Sequence, residues 1–531
     1  MRAITDGSYD IAMVGGGHNG LVCATYLAKA GKKVLLLERR SMLGGACATE
    51  PFPGMPEAFQ STASYVLAIM PKRIVEGLGL FRHGLKLHER DPNAFTPLRD
   101  GRYFMRWNDP ERTRAEIAKF GREGERDAEN YPRFGASVAE VAEFTRWLMF
   151  QTPPDPFRKR DVFKMISLAR KALQLGPEKI KRLVDLFSMS EYDYVRRFVT
   201  SEPLVATICS DGIIGTDGGP RTPGTAYVLL HHDIGDLGDE PGKWYYPEGG
   251  MGAVGAALGA AARAAGVTIM TDADVKRVIV EKGRAVGVEA EVEGALRRFK
   301  AKGVVSGADF HRTFAMLDAA DRPEGIDEKL DNFDTRSPTW KTNMVIRNTP
   351  ERHLKWACDY KGPMPPGTIH LPLDNTDIIE RAYDDFKYGE LSKVPVLEIC
   401  CPTTVDRTLA PPGFHVLSIL GQYAPYDTPR ELLEKRTLEV MRPYCNIDEV
   451  LVTADTHSPK DLETRFGLTG GNIFQGAMPL NQLFFMRPAM GMARYRTPIR
   501  GFWMCGSSCH PGGGVTGIPG HNAAREIIKG W

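Results

Sequence analysis

The sequence predicts an α/β protein in which a three-layer domain with a parallel sheet is interrupted by a mixed sheet-and-helix (α+β) domain. Three observations lead to this fold class. A strand, a glycine turn, a helical pattern and a second strand occupy the first 38 residues, strand-like segments return between residues 267 and 309, and a glycine-rich tail opens a last helix. Because strand–helix–strand units build parallel sheets covered by helices, these separated segments fit one discontinuous domain.

The amino-terminal segment carries the most specific motif. The apolar strand at residues 11–14 runs into Gly15–Gly20, a helix follows, and the strand at residues 34–37 ends in Glu38. In this context the first glycine allows a tight turn, the third lets backbone N–H groups approach a pyrophosphate, and the last lets helix and strand pack closely. The carboxylate of Glu38 is placed to accept ribose hydroxyls. The pattern predicts a Rossmann-like dinucleotide site; a merely structural glycine turn is the alternative.

A second glycine pair indicates which dinucleotide binds. Arg40 and the Gly44-Gly45 doublet follow closely after Glu38. A glycine pair just after the acidic residue lets the chain fold back over the same pyrophosphate, because neither residue has a side chain to obstruct the approach. Flavoproteins with this kind of turn have such a second pair, so the similarity to them favours FAD over NAD.

The composition fits a soluble enzyme. The chain has 531 residues, of which 42% are hydrophobic and 25% charged, and its net charge is +2. The length suggests several domains, and the near-neutral charge gives no broad electrostatic reason to expect nucleic acid as a partner. No apolar run reaches the ~18 residues of a membrane span, and the amino terminus has neither an apolar signal core nor an Arg-rich presequence. We therefore expect a cytoplasmic protein.

The nine cysteines are scattered, and none forms a Cys-x-x-Cys pair. Their spacing argues against a dithiol redox relay and against a zinc ribbon. We expect most of them to be buried, reduced thiols. Cys509 lies in the glycine-rich tail turn and is therefore a candidate for catalysis. A structural thiol is the favoured interpretation of this residue.

The order of segments along the chain predicts two interleaved domains. A Pro-rich break at residues 152–156 interrupts long helical patterns, and after Tyr246–Gly252 the chain returns to a helix and strands of the first domain. The predicted cofactor domain comprises residues 1–75, 240–310 and 480–531, and the predicted substrate domain, with a helical subdomain, comprises residues 76–239 and 311–479.

Several motifs carry a family resemblance: Gly15–Gly20, Glu38 with Gly44-Gly45, Tyr246–Gly252, Val304–Asp309 and Cys505–Arg525. Together they resemble the phytoene-desaturase-related flavoproteins, within the wider amine-oxidase-like FAD superfamily. The run Asp461–Phe474 resembles a narrower branch, that of the mitochondrial pyridine-nucleotide-disulphide-oxidoreductase-domain protein and its bacterial relatives. The resemblance covers essentially the whole chain and is specific for FAD and fold, but not for the substrate.

The resemblance implies non-covalently bound FAD. It implies that the strand near Val275 gives backbone contacts to the adenine. The tail turn would point at the flavin, where a helix N-terminus near Val515–Gly517 stabilises developing negative charge. The residues expected to contact FAD are Gly15, Gly17, His18, Asn19, Gly20, Glu38, Arg39, Arg40, Gly44, Gly45, Ala46, Val275, Gly506, Gly513, Gly514, Val515 and Thr516.

Lys341 and His510 are the catalytic candidates. In amine oxidases of this superfamily, a lysine at the start of a comparable substrate-domain strand holds a water against flavin N5, and Lys341 lies near the start of such a pattern. His510 lies in the tail turn, which the resemblance places near the flavin. The alternatives are a surface lysine at a strand start and a structural histidine.

Two further groups of residues have simpler explanations. His231-His232-Asp233 offers metal-ligand types, but adjacent residues of a strand point to opposite faces, so we predict no metal site. The basic helical pattern at residues 158–182 would suit anionic lipid head groups, and a solvated helix face is the alternative.

These features predict an FAD-dependent oxidoreductase that removes a hydride from a small or lipophilic organic substrate, by desaturation or by C–N or C–C oxidation. A carotenoid or polyene desaturase or isomerase at a membrane surface is one alternative. A non-enzymatic prenyl-lipid chaperone of the same fold, such as the GDP-dissociation inhibitors, is another. The electron acceptor (oxygen, a quinone or another protein) and the formation of a homodimer are left open.

Overall fold

The structure is a computed structural model that describes residues 8–238 and 242–531. Two large sheets and two two-stranded sheets contain the strands of the described residues. In chain order these are β1 (Tyr9–Val14), β2 (Val34–Leu37), β3 (Thr49–Phe52), β4 (Met55–Ser61), β5 (Leu87–Glu89), β6 (Ala94–Pro97), β7 (Tyr103–Arg106), β8 (Tyr245–Pro247), β9 (Thr268–Met270), β10 (Ala273–Glu281), β11 (Arg284–Val292), β12 (Ala295–Ser306), β13 (Thr339–Arg347), β14 (Thr368–Leu371), β15 (Val396–Cys400), β16 (Phe414–Gln422), β17 (Leu451–His457) and β18 (Phe502–Met504).

The helices surround both sheets. In chain order they are α1 (His18–Lys29), α2 (Lys72–Leu78), α3 (Pro110–Ala118), α4 (Gly121–Met149), α5 (Val162–Leu173), α6 (Gly176–Ser188), α7 (Glu191–Val195), α8 (Glu202–Cys209), α9 (Thr225–Asp233), α10 (Gly252–Ala264), α11 (Phe310–Ala315), α12 (Ile326–Asp331), α13 (Thr376–Lys387), α14 (Arg430–Met441), α15 (Ile447–Val450), α16 (Pro459–Phe466) and α17 (Ile518–Lys529).

The first sheet contains parallel strands in the order β9-β2-β1-β12-β18. Numbered along the chain, this is the 3-2-1-4-5 order of a doubly wound sheet, which binds ligands where the strand order reverses, at the carboxyl ends. The long strand β12 also pairs through its first half with β11, which forms a hairpin with β10. The reversal therefore lies between β1 and β12, directly beside the glycine turn.

Helices α1, α10 and α17 pack together beside this sheet. The contact between α1 and α17 is unusually close, because a Cβ atom added to Gly520 would lie 2.1 Å from the carbonyl oxygen of Asn19. Tyr26 of α1 and His521 of α17 also meet edge to face. The two ends of the chain thus begin their helices side by side.

The second sheet has the order β17-β13-β16-β15-β14-β6-β7 and is antiparallel except between β14 and β6. Trp340, Ile369 and Leu397 belong to its apolar core, which continues into Leu433 and Met441 of α14. The fold class predicted from the sequence, a Rossmann-like domain with an inserted mixed domain, is confirmed. The exact domain boundaries remain a prediction.

Most predicted elements are present in the structure, with one instructive error. The first two strands, the helix after Gly252 and the strand-like segments between residues 267 and 309 all form. The error concerns His231 and His232, which lie in helix α9 and not in a strand. The argument that adjacent strand residues face apart therefore does not apply to them.

Candidate dinucleotide and substrate site

The glycine turn after β1 brings helix α1 directly against the sheet. Gly15 has φ +90°, and a Cβ atom added to Gly20 would lie 2.2 Å from the carbonyl oxygen of Gly15. Among the described residues, no side chain caps α1 at its N-cap residue Gly17. The first backbone N–H groups of α1 are therefore available to an anion, which the partial positive charge of a helix N-terminus favours.

Glu38 is held beside this turn at the carboxyl end of β2. Its two carboxylate oxygens accept hydrogen bonds from the backbone N–H groups of Gly16 (2.6 Å) and Arg40 (2.9 Å). Burial raises the pKa of Glu38, and these two hydrogen bonds act in the opposite direction. A buried carboxylate fixed by the backbone has remaining lone pairs to accept hydroxyl groups of a ligand.

The second glycine pair lies against the first turn. The N–H of Gly44 donates to the carbonyl of Gly16 at 2.8 Å, and a Cβ atom on Gly45 would lie 3.0 Å from the Cα of Gly17. Two backbone turns therefore meet without intervening side chains. This is the crossing that the sequence predicts after Glu38.

These turns border a cavity of about 290 Å³, which we call the glycine-turn cavity. Its wall contains most of the residues expected at FAD: Gly15, Gly17, His18, Asn19, Gly20, Glu38, Arg39, Arg40, Gly45, Ala46 and Val275. The Oδ1 atom of Asn19 and the Nε2 atom of His18 are buried and have no hydrogen-bond partner among the described residues. The site thus combines a backbone cradle, a buried carboxylate and unpaired polar atoms, a set that fits a dinucleotide.

The guanidinium groups of Arg39 and Arg40 contact other protein groups at the rim of the glycine-turn cavity. Arg39 donates to the carbonyls of Thr464 and Arg465, the last turn of α16. Arg40 pairs with Glu50 at 2.9 Å and lies over the ring of Phe466. Both side chains therefore fasten the segment after α16 over the cavity, in addition to lining it.

A second, apolar cavity of about 120 Å³ adjoins the first, and His18, Ala46, Leu468 and Ile473 line both. We call it the apolar cavity; its other lining residues are Ala63, Ser64, Tyr65, Val66, Ala68, Ile69, Ile214, His232, Trp244, Leu420, Phe474, Gly514 and Val515. Burial lowers the pKa of His18 to about 4, which keeps its imidazole neutral, while a hydrogen bond to the backbone of Gly514 acts in the opposite direction. We refer to the two adjoining cavities together as the elongated hollow; one end contains the backbone cradle and the Glu38 carboxylate, and the other has a mostly apolar wall.

Four of the glycine and threonine residues expected at FAD, namely Gly44, Gly506, Gly513 and Thr516, do not line either cavity. Gly44 supports the glycine turn, and a Cβ atom on Gly506 would meet the carbonyl oxygens of Gly307 and Ala308 at 2.7 Å. A Cβ atom on Gly513 would lie 2.2 Å from the Cα of Phe474. The hydroxyl of Thr516 accepts from the N–H of Ile518 at the start of α17. Their contacts in the structure are with protein backbone and side chains, and their direct contact with the cofactor stays a prediction.

His510 does not line either cavity. Its Nε2 atom lies 3.3 Å from the carbonyl oxygen of Leu148, and its ring meets Phe484 edge to face. Burial lowers the pKa of His510 to about 3, so the ring is neutral at physiological pH. The catalytic role expected for His510 is therefore not supported, because the histidine packs between α4 and the loop before the tail.

Lys341 is buried, so the surface alternative considered for it is wrong. Its ammonium group donates to Ser418 Oγ (2.6 Å) and to Asn343 Oδ1 (2.9 Å), and it lies over the ring of Tyr65 at 5.4 Å. Burial lowers the pKa of Lys341 to about 7. Lys341 itself does not line the apolar cavity, but the Tyr65 ring that it contacts does.

A cluster of buried polar groups adjoins the apolar cavity behind Tyr65. The Tyr65 hydroxyl donates to Glu398 at 2.6 Å, and ligand-type atoms of Asp211, His370 and Glu398 lie within 4.8 Å of one another. Burial raises the pKa of Glu398 to about 8 and lowers that of His370 to about 3. Arg106 pairs with Asp211 at 3.5 Å. The Arg106 guanidinium thus supplies a positive charge to the cluster, and the Glu398 carboxyl group is protonated at neutral pH.

The two histidines of α9 have separate environments. His231 lies 3.1 Å from the carbonyl oxygen of Gly513, and His232 lies 3.0 Å from that of Val228 within the same helix. Only His232 of this pair lines the apolar cavity. Burial lowers the pKa of both imidazoles. They serve as neutral packing and hydrogen-bonding groups of the cavity wall.

All nine cysteines are buried, free thiols, as the sequence predicts. Burial raises the pKa of Cys509, which is a thiol at physiological pH. A role for this residue as a nucleophile is not supported by its environment, since the thiolate is the reactive form.

The end of α16 and the residues after it are not predicted from the sequence as part of the site. Phe466, Gly467, Leu468, Ile473 and Gln475 line the glycine-turn cavity, although their segment falls in the predicted substrate domain. In the sequence analysis, the run Asp461–Phe474 indicates only a branch of the family. Its glycine content is the available signal: Gly467, Gly470 and Gly471 all have positive φ, which allows the chain to turn over the cavity. Other missed residues are Tyr65, Ile69, His232, Trp244, Ala273, Asp274, Gly307, Ala308, Arg312, Ala315, Met316 and Ser507.

Comparisons with known proteins indicate the family of this chain. The model of the NAD(P)-binding Rossmann-like domain family matches residues 13–73. The mouse pyridine nucleotide-disulfide oxidoreductase domain-containing protein 2 is 34% identical over 98% of this chain and 93% of its own length. One of the limonene dehydrogenase subunits of Castellaniella defragrans is 25% identical over 98% of this chain and 94% of its own length. The carotenoid 3,4-desaturase of Haloarcula japonica is 23% identical over 98% of both chains.

Solved structures of low sequence identity share the fold. Putrescine oxidase superposes with a TM-score of 0.60 at 16% identity, over 98% of both chains. Cyclohexylamine oxidase from Brevibacterium oxydans superposes with a TM-score of 0.57 at 14% identity, over 99% of both chains. The chain is therefore an oxidoreductase with the amine-oxidase fold, and it belongs to the family of pyridine nucleotide-disulfide oxidoreductase domain-containing protein 2.

Proposed function

We propose that this oxidoreductase uses FAD to remove a hydride from a small or lipophilic organic substrate. The observation that carries the proposal is the elongated hollow, in which a backbone cradle and the Glu38 carboxylate occupy one end and an apolar wall the other. Bound FAD would supply the hydride acceptor in its isoalloxazine ring. The protein supplies position, exclusion of water and the electrostatic environment.

The residues of the glycine-turn cavity would hold the nucleotide half of FAD. Glu38 is the acceptor for ribose hydroxyls, and the uncapped N-terminus of α1 favours the pyrophosphate charge. The segment Gly467–Leu468 closes the rim, because Arg39 and Arg40 tie α16 and its following turn to the first domain. This arrangement supports non-covalent binding of the cofactor.

The apolar cavity supports a substrate with a large apolar part. Ile69, Ile214, Leu420 and Phe474 make much of its wall apolar. Tyr65 adds a hydroxyl group to this wall, and the hydroxyl donates a hydrogen bond to the buried carboxyl group of Glu398. A substrate with one polar or unsaturated end and an apolar body matches this distribution.

Tyr65 and Glu398 are the groups proposed to exchange a proton with the substrate. Oxidation of an amine breaks one C–H and one N–H bond, so the hydride goes to the cofactor and a proton must leave to a base. Because burial raises the pKa of Glu398 to about 8, its capacity to accept a proton through the Tyr65 hydroxyl increases as the pH rises through that value. The same pair could serve desaturation, in which two C–H bonds break.

Two alternatives keep specific support. A polyene desaturase or isomerase is favoured by the apolar wall and by the similarity to a carotenoid 3,4-desaturase. A non-enzymatic prenyl-lipid chaperone would use the apolar cavity alone. The intact backbone cradle and the fixed carboxylate of Glu38 argue against the chaperone, because such a protein needs neither. Oxygen or a quinone is proposed as the electron acceptor.

Anaerobic bleaching of the flavin tests the reaction class. The purified protein is mixed without oxygen with panels of alkyl and aryl amines and of isoprenoids, and loss of the visible flavin absorption is recorded. We expect bleaching by members of at least one panel, with rates that increase as the pH approaches 8. The Tyr65→Phe variant keeps the ring and removes the hydroxyl, and should bleach more slowly. A bound flavin that no panel bleaches would contradict the proposed substrate classes.

A further inference from the structure

Helix α5 and the loop before it expose large apolar side chains. Phe163 is 81% exposed, Phe157 78% and Leu173 69%, and no residue of α5 is buried. A helix of a soluble domain normally buries its apolar stripe against the core. Several exposed aromatic and aliphatic groups on one short segment therefore indicate a surface that meets an apolar phase.

The same segment is strongly basic. Residues 157–182 contain nine Lys or Arg residues and two acidic ones, although the whole chain has a net charge of only +2. Lys164, Lys181 and Arg182 have carboxylate partners. Within the described residues, the following basic groups have no carboxylate within 4.0 Å: Arg158, Lys159, Arg160, Arg170, Lys171 and Lys179.

Apolar and basic groups share one face of α5. Phe163, Ile166, Arg170 and Leu173 are spaced three or four residues apart, which brings them onto one side of a helix. Long cationic side chains can reach outward from such a face while the apolar groups between them enter a less polar medium. This combination is the pattern of a helix that lies in the interface of a bilayer.

We propose that α5 and the loop before it dock on the surface of an anionic phospholipid bilayer. The charge is complementary, since unpaired basic groups meet acidic head groups while Phe157 and Phe163 enter the interface. A second copy of the chain is a poorer occupant, because it would bring two basic faces together. No helix of the described part of the chain is long and apolar enough to cross a membrane, so the contact is peripheral.

Helix α6 contacts α5 of the docking surface and also packs toward the apolar cavity. The ring of Phe187 in α6 lies 4.7 Å from the tilted ring of Tyr227 in α9, and Tyr227 forms one apolar cluster with Phe474, which lines the cavity. A lipophilic substrate in the bilayer would thus lie close to the helices that cover the site. This connection rests on the proposed function, whereas the docking itself does not.

Co-sedimentation with vesicles tests the docking. The purified protein is incubated with vesicles of phosphatidylcholine alone and with vesicles that also contain phosphatidylglycerol, at low and at high salt. We expect binding to the anionic vesicles only, weakened at high salt because screening shortens the range of charge attraction from ~10 Å at 0.1 M to ~3 Å at 1 M. The measurement needs neither flavin nor substrate, so its failure leaves the proposed function standing.

Matched variants locate the surface. Phe163→Gln should reduce the partition coefficient about tenfold or more, whereas Tyr388→Gln, at an 80% exposed aromatic elsewhere, should leave it unchanged. Arg170→Gln with Lys171→Gln should reduce it about fivefold for each charge removed. The double substitution Lys300→Gln with Lys329→Gln is the charge control. Both controls lie on exposed positions outside α5.

Three results would overturn the docking surface. The first is equal binding to neutral and anionic vesicles, and the second is equal loss in the α5 variants and their controls. The third is a light-scattering mass that corresponds to a dimer for the parent protein and to a monomer for Phe163→Gln. That result would show that a second copy of the chain covers the surface of α5. A monomeric parent that binds anionic vesicles through Phe163 and Arg170 supports the proposal.

Discussion

Replacement of Glu38 is the perturbation whose effect follows most directly from the structure. The carboxylate accepts the backbone N–H groups of Gly16 and Arg40 and lines the glycine-turn cavity. A hydrogen bond from a ligand to a charged group contributes about 1.5–3 kcal/mol. If Glu38 binds the ribose, Glu38→Ala should raise the Kd for FAD about 10- to 100-fold, since each 1.4 kcal/mol is a factor of ten.

Glu38→Ala also affects folding stability, and this effect must be measured separately from the effect on FAD binding. Glu38→Ala leaves the buried N–H of Gly16 without its acceptor, which costs roughly 1–3 kcal/mol of folding stability. Glu38→Gln keeps one carbonyl oxygen for this N–H and removes the charge. Thermal unfolding of each apoprotein measures the structural loss, and quenching of flavin fluorescence on titration measures the Kd. The control is Glu57→Ala at an exposed position.

The two readouts distinguish a ligand contact from a structural one. A raised Kd for Glu38→Gln with near-parental apoprotein stability is the expected result. The reasoning would be refuted if both variants bound FAD within about twofold of the parent, a difference of less than about 0.5 kcal/mol. Glu38 would then serve only to fix the turn between β1 and β2.

Three further predictions concern the apolar end of the hollow. Gly514→Val should lose flavin affinity, because φ is +89° and a Cβ atom would lie 2.4 Å from Ile69 Cδ1; parental flavin content in the purified variant would contradict this. Lys341→Met should keep FAD but slow reoxidation by oxygen on the order of 10²-fold in stopped flow, and a rate within about twofold would separate Lys341 from the cavity chemistry. The free energy of unfolding of the Glu398→Gln variant should increase relative to that of the parent protein as the pH rises. The folded pKa of Glu398 is raised from 4.5 to about 8, so ionisation destabilises the parent between those values, by at most about 1.4 kcal/mol per pH unit. Chemical unfolding at pH 5 and pH 8 that gave the same stability difference would show that the carboxyl group is not held neutral.

The nucleotide end of the site could be predicted from sequence because its contacts are local. Gly15, Gly20 and Glu38 are positioned by a single strand–helix–strand unit, and glycine is required wherever two backbones meet. The spacing along the chain therefore almost determines the geometry in space. The same reasoning placed Gly44 and Gly45 against the first turn, as the structure shows.

The substrate end could not be predicted in this way because its residues come from distant segments. Tyr65, Trp244 and Phe474 line one cavity although each belongs to a different part of the chain. Tertiary packing also creates two side-chain environments that the local sequence does not reveal. Lys341 is buried in the second sheet, and His510 packs against Leu148 rather than facing the cavity. Neither environment leaves a periodic or spacing signal in the sequence.

The central claim is that the elongated hollow is an FAD site, and the cofactor of the purified protein tests it most directly. The protein is purified without added flavin, its visible absorption is recorded, and the released cofactor is identified by mass spectrometry after denaturation. The account predicts a yellow protein with one FAD per chain that is released intact, and markedly less flavin in Glu38→Ala. A colourless protein that cannot be reconstituted with FAD would contradict the account and favour a lipid-binding protein without redox chemistry.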